Sequence, residues 1–124
     1  MNAFLRLERL SACTIITDMI SFEDFSKVDI RAGYVEECTK VEGSVKLIRL
    51  IVDFGELGKK QILTALGEFF TPEQVQGLTA LFVVNMTPRK LMGFESEGMI
   101  MGTEEDLPKI LLAPEGVAPG TRII

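Results

Sequence analysis

At 124 residues and 47% apolar content, the chain can bury one core without metal or disulfide support and is too apolar for a disordered tail. Its formal charge of −5 argues against indiscriminate nucleic-acid binding, which leaves a basic footprint over a whole domain, while leaving room for a local cationic patch. The absence of histidine removes histidine general bases, triads and imidazole metal ligands.

Residues 1–18 look unlike the rest. Leu-Ser-Ala-Cys at positions 10–13 matches a lipoprotein cleavage box, but only Leu10 to Ala12 separate Arg9 from Cys13, too few for an apolar signal core. We read residues 1–18 as an N-terminal extension of uncertain status, with Met19 as an alternative start, and residues 19–124 as one domain. Cys13 and Cys38 have neither the spacing nor the partners of a metal site or catalytic thiol. They are expected to be reduced thiols of a cytoplasmic protein. No apolar run approaches the ~20 residues that span a bilayer, so a soluble protein without membrane contact is expected.

From Phe22 the pattern is strand-like. Val28, Ile30, Ala32 and Tyr34 alternate with Asp29, Arg31 and Gly33, the period of a half-buried strand, and Gly33 suggests a bend within it. Residues 46–54 alternate Ile48, Leu50, Val52 and Phe54 against Lys46, Arg49 and Asp53. Gly55 and Gly58 make a turn into a strand over residues 60–65, giving a hairpin. Thr71, Pro72 and Gln74 carry the signature of a helix start, and Gly77 stops that helix within two turns.

Residues 79–85 are β-prone and apolar throughout, which implies burial on both faces. Residues 99–102 and 109–113 supply two further strands, and residues 121–124 pair along an edge after a turn-rich tail. Many short strands and one brief helix point to an all-β protein, a small barrel rather than a sandwich.

The least generic stretch is residues 85–101. A strand stops at Asn85, Pro88 forces an extended turn, and Arg89 and Lys90 follow with no acid beside them. Gly93 and Gly98 bracket Ser96, so this loop can bring backbone close to a partner while presenting two cations and a hydroxyl. In isolation Arg89 and Lys90 read as an ordinary solvated turn, and Lys59 and Lys60 as edge solubility.

Taken in order, Phe25, Val28-Asp-Ile-Arg-Ala-Gly33, Val41-Glu-Gly-Ser-Val-Lys-Leu47, Val52-Asp-Phe-Gly55, Asn85, Pro88-Arg-Lys-Leu-Met-Gly93 and Ser96-Glu-Gly-Met99 resemble the tRNA-binding domain family. That family includes the C-terminal domain of many bacterial methionyl-tRNA synthetases and stand-alone tRNA-binding proteins. The resemblance covers residues 22–124. One departure stands out: Val45 replaces the acid that precedes the lysine in related segments.

The resemblance implies an OB-fold, a five-stranded Greek-key barrel with a short helix and terminal extensions. It further implies a homodimer that uses the chain ends, tRNA as partner, and possible service to an aminoacyl-tRNA synthetase. No catalysis and no cofactor are implied. A branch of the same family resembles a secretion-related chaperone that binds peptides in apolar pockets, and this is the alternative reading.

For RNA contact the candidates are Lys46, Arg49, Asn85, Arg89, Lys90 and Ser96. Arginine can grip a phosphate through two parallel hydrogen bonds, lysine acts as a mobile point charge, and Asn85 and Ser96 can donate to a sugar or base edge. Met92, Phe94 and Met99 are assigned to the supporting wall, with Phe94 the best of the aromatics for stacking on a base. Tyr34 and Phe54 sit in strands and are read as core.

Overall fold

The computed structural model describes residues 18–124; Cys13 and nearly all of the expected extension over residues 1–18 lie outside the described residues. Among the described residues eight strands are formed: β1 (Ile30–Lys40), β2 (Ile48–Asp53), β3 (Lys59–Thr64), β4 (Thr79–Val83), β5 (Arg89–Leu91), β6 (Phe94–Ser96), β7 (Met99–Ile100) and β8 (Arg122–Ile123). Two single-turn helices, α1 (Phe22–Phe25) and α2 (Pro72–Val75), accompany them.

The main sheet runs β3-β2-β1-β4-β7, with β8 added to β1, and β5 and β6 form a separate hairpin. β1 organises the sheet because it is long enough to serve several partners. Its first half pairs with β4, from Ile30 opposite Val83 to Tyr34 opposite Thr79. Its second half pairs with β2, from Tyr34 opposite Asp53 to Lys40 opposite Ile48. The sheet thus curls, and the expected OB-fold barrel, with its helix between the third and fourth strands, is present.

β2 buries Ile48, Leu50 and Val52 as its alternation predicted, and Phe54 continues the apolar face. Phe54 meets Phe82 of β4 edge to face, with ring centroids 5.3 Å apart and planes at 87°. Val35, Ile62 and Val75 close around this pair. The α2 start also follows the signature: Pro72 opens the turn and the Thr71 N–H donates to Gln74 Oε1 at 2.8 Å.

Four local expectations are corrected. Gly33 does not bend β1; its pairing with Ala80 is regular, and the register shift lies between Val35 and Glu37. Glycine is needed there because a β-carbon would lie 2.5 Å from Phe54 Cε1 and 2.6 Å from Val52 Cγ1. Residues 22–25 form a helical turn rather than strand, because Ser21 Oγ accepts from the Asp24 N–H at 3.0 Å. Residues 109–113 make only isolated bridges, since their backbone changes partners: Leu111 O accepts from Leu81 N–H while Leu111 N–H donates to Met101 O. Tyr34, read as core, is 40% exposed.

Cys38, near the end of β1, is buried, and burial first and the Glu73 charge second push its thiol up to about 11. The folded state therefore favours the neutral thiol, and the stability tied to it is intact below the ordinary thiol range and lost as pH rises through about 11.

In a Cys13→Ser background, Cys38 should stay unreactive toward a disulfide reagent at pH 8 and react on unfolding in urea; rapid reaction of the native protein would contradict this burial. For Gly33→Ala we expect a loss of about 1–3 kcal/mol from overpacking, read as a lower urea midpoint. An unchanged midpoint would mean that Phe54 and Val52 yield without cost.

Candidate nucleic-acid interface

The stretch singled out as a loop is a hairpin. Arg89 pairs with Ser96, Lys90 with Glu95 and Leu91 with Phe94, and the two-residue turn is Met92-Gly93. Its φ values of 52° and 86° are both left-handed, the geometry that matches the natural twist of paired strands. Asparagine or glycine usually occupies the first of these positions, so methionine there costs local backbone energy. Arg89 and Lys90 are exposed on β5, as expected.

Ser96 is the main departure. It is buried, its Oγ accepts from the Leu63 N–H at 3.0 Å, and its O–H donates to Gly98 O at 3.1 Å. The hydroxyl expected to face a partner is spent on the free edge of β3. Glu97 completes this seam: its carboxylate accepts from the Gln61 N–H at 2.8 Å and its own N–H donates to Gln61 O at 2.8 Å. The Ser-Glu-Gly segment thus closes the barrel where strand pairing runs out.

Asn85 is exposed at the end of β4, but its amide is engaged, with Oδ1 accepting from Asp29 N–H at 2.9 Å and Nδ2 donating to Lys27 O. It ties the chain entering β1 to the chain leaving β4. Met99 lines a hollow of about 60 Å³ with Arg89, Ser96 and Leu63.

Arg49 projects from β2 toward the hairpin. Its guanidinium lies over the Phe94 ring, 5.5 Å from the centroid, and its Nε–H donates to Gln61 Oε1. Gln61 in turn donates from Nε2 to Glu95 O at 2.8 Å. Sequence reasoning passed over Gln61, which reads as an ordinary polar residue of a strand; only the fold puts it between Arg49 and β6.

Lys46 stands exposed in the loop over residues 41–47, whose turn is held by Ser44 Oγ accepting from the N–H groups of Lys46 and Leu47. The hairpin tip leans on this loop: a β-carbon at Gly43 would sit 3.4 Å from Met92 Cε. The structure therefore brings Arg49, Phe94 and the Arg89/Lys90 strand onto one hairpin-and-strand unit in contact with the Lys46 loop. Asn85 and Ser96 hold the framework around it. By contrast Lys59 is ion-paired with Glu36 at 3.1 Å. Among the described residues no group of three or more histidine, cysteine or acidic side chains converges as a metal site, and no helix is long and apolar enough to cross a membrane.

Fold and site together define a small OB-fold barrel with a cation-bearing hairpin along one rim. The family model described as a putative tRNA binding domain matches residues 30–122, and the chain belongs to that family. It is 47% identical over 105 residues to a methionine-tRNA ligase of Archaeoglobus fulgidus, covering 84% of this chain and 16% of the ligase. A Porphyromonas gingivalis methionine-tRNA ligase is 44% identical over 111 residues, with 87% of this chain covered. The chain thus spans about one sixth of those curated relatives, 16% of each.

Among solved structures, a MetRS-related protein from Pyrococcus horikoshii superposes with a TM-score of 0.83 at 33% identity, covering 87% of this chain and all of that one. The chaperone CsaA from Bacillus anthracis superposes at 0.77 with 34% identity, covering 86% of this chain and all of that one.

Ser96→Ala should cost about 1–3 kcal/mol, because the buried Leu63 N–H loses its acceptor. Met92→Asn should gain up to about 1 kcal/mol by easing the left-handed turn. Urea unfolding of both variants decides the matter, and equal midpoints with wild type would refute the roles given to these two residues.

Proposed function

We propose that this chain is a non-catalytic module that binds tRNA by its shape, with Lys46, Arg49, Arg89 and Lys90 meeting phosphates along the rim and Phe94 supporting them. The observation that carries the reading is the Arg49–Phe94 contact, which joins cations from two separated stretches of sequence into one surface. Each phosphate met by a cation releases condensed counterions, so binding should weaken with salt. With a formal net charge of −5 over the whole chain, few phosphates are neutralised, and recognition rests on shape rather than base sequence. Kinship with methionine-tRNA ligases supports assistance to an aminoacyl-tRNA synthetase, and we place the protein in the cytoplasm with it.

A homodimer is part of the proposal. Phe22, Phe25, Val28, Ile30, Ile123 and Ile124 line an apolar hollow of about 220 Å³ where both ends of the domain meet β1, and Phe22 is 83% exposed. A second copy would remove this apolar surface from water.

A second reading, peptide binding by a chaperone, is favoured by a different feature. Phe69, Phe70, Leu78, Leu107, Ile110 and Leu112 line an apolar groove of about 490 Å³ that shares no residue with the rim. The exposed Arg89 and Lys90 have no use in that reading, which is why the tRNA reading stands first.

Titration of tRNA across a salt series is the test. The Arg89→Ala/Lys90→Ala double variant should bind more weakly and lower the salt slope by roughly two, one per lost phosphate contact. Wild-type affinity in a folded double variant would remove Arg89 and Lys90 from the site. Failure of the wild type to bind tRNA, with suppression of client aggregation, would favour the chaperone reading. Light scattering at micromolar concentration should give twice the 13.7 kDa chain mass, and a single-chain mass would end the dimer proposal.

A further inference from the structure

We infer that Gln61 is a positioning residue for tRNA binding: it fixes the Arg49 guanidinium so that its two terminal nitrogens face outward as a ready-made phosphate fork. The inference rests on the tRNA reading above and deepens it.

Arg49 and Gln61 occupy β2 and β3, twelve residues apart in sequence, and the Nε–H to Oε1 distance is 2.5 Å. An arginine bound through Nε keeps Nη1 and Nη2 for another partner, and among the described residues neither terminal nitrogen has a hydrogen-bonding or ion-pair partner. The contrast with Arg31 is informative. That arginine spends Nε and Nη2 on Asp29 and Nη1 on Gly120 O, so its fork is closed within the fold.

Gln61 is itself locked. Its N–H and C=O are taken by Glu97, and its Nε2 donates to Glu95 O. Only one orientation of the amide satisfies both side-chain contacts, because the arginine needs an acceptor and the carbonyl needs a donor. The guanidinium is then pinned at one edge by this acceptor and over one face by the Phe94 ring. A free arginine side chain must lose rotamer entropy on gripping a phosphate; a pinned one has already lost it. Neutral Gln61 achieves this without cancelling the positive charge, which a carboxylate partner would do.

The experiment measures tRNA binding across a salt series for wild type, Arg49→Met, Gln61→Met and the double variant, with thermal unfolding to establish folding. Arg49→Met should weaken binding roughly tenfold, the loss of one charge-assisted contact. Gln61→Met should weaken it in the same direction, and the double variant should be no weaker than Arg49→Met alone. A second readout is the Arg49 Nε–H signal in a ¹⁵N-correlated spectrum, which Gln61→Met should broaden or move and Gln61→Glu, retaining an acceptor, should preserve.

Gln61→Met binding like wild type while Arg49→Met is impaired would overturn the inference and leave the tRNA site intact. Additive losses would also overturn it, since Gln61 would then act independently of Arg49. An Arg49 Nε–H signal unchanged in Gln61→Met would do the same. If Arg49→Met itself binds tRNA like wild type, Arg49 does not belong to the site, and the inference goes with it.

Discussion

β3 has one edge that no strand fully covers, and the rest of the molecule is arranged around how that edge is satisfied. Its inner edge pairs with β2 along its whole length, from Lys59 opposite Asp53 to Thr64 opposite Ile48. At the outer edge the N–H groups of Gln61 and Leu63 find a carboxylate and a hydroxyl, from Glu97 and Ser96, and one backbone bond joins Glu97 to Gln61. An unpaired strand edge buried from water costs free energy, and one exposed to water invites other chains. The seam removes both problems with three consecutive residues. Gly98 ends it because a β-carbon there would stand 2.8 Å from Val83 O, so the chain can turn directly into β7.

The same seam sets the hairpin. β6 ends in Ser96, so anchoring Ser96 and Glu97 on β3 fixes where β5 carries Arg89 and Lys90. Phe94, two residues earlier, is thereby held beneath Arg49, and the hairpin tip at Met92 reaches the Gly43 turn. Charge is handled in the same economy. Glu97 turns its carboxylate toward a backbone N–H of β3, so an acid lies close to the cationic rim without an ion-pair partner among the described residues. Glu95 is directly across from Lys90, the one acid that opposes a rim cation in register.

Much of the barrel was readable from residue patterns. The apolar alternation of Ile48, Leu50, Val52 and Phe54 reports one buried face directly, and Thr71-Pro72 with Gln74 reports a helix start through bonds that span only a few residues. Legibility failed where long-range contacts decide. Gly33 resembles a bend from sequence, yet its constraint comes from Phe54 and Val52 on another strand. The β5–β6 hairpin was hidden because its turn carries methionine where asparagine or glycine is the usual marker. Ser96 between glycines reads as an exposed hydroxyl, and nothing local says that Leu63, thirty-three residues away, takes it up. Of the candidate site, Arg89, Lys90 and Lys46 stand in the open, whereas Asn85 and Ser96 bond within the framework.

This division has a consequence for how the protein can vary. Lys46, Arg89 and Lys90 are exposed side chains whose loss removes charge and little packing, so changes there should act on binding with small effect on stability. The seam residues bear on both, because they close β3 and orient the rim at once. Gln61 lies where the two sets meet: its backbone belongs to the seam and its side chain to Arg49. A substitution at Gln61 that keeps the backbone bonds intact therefore changes only what the side chain does, and that separation makes it the residue through which fold and proposed function can be told apart.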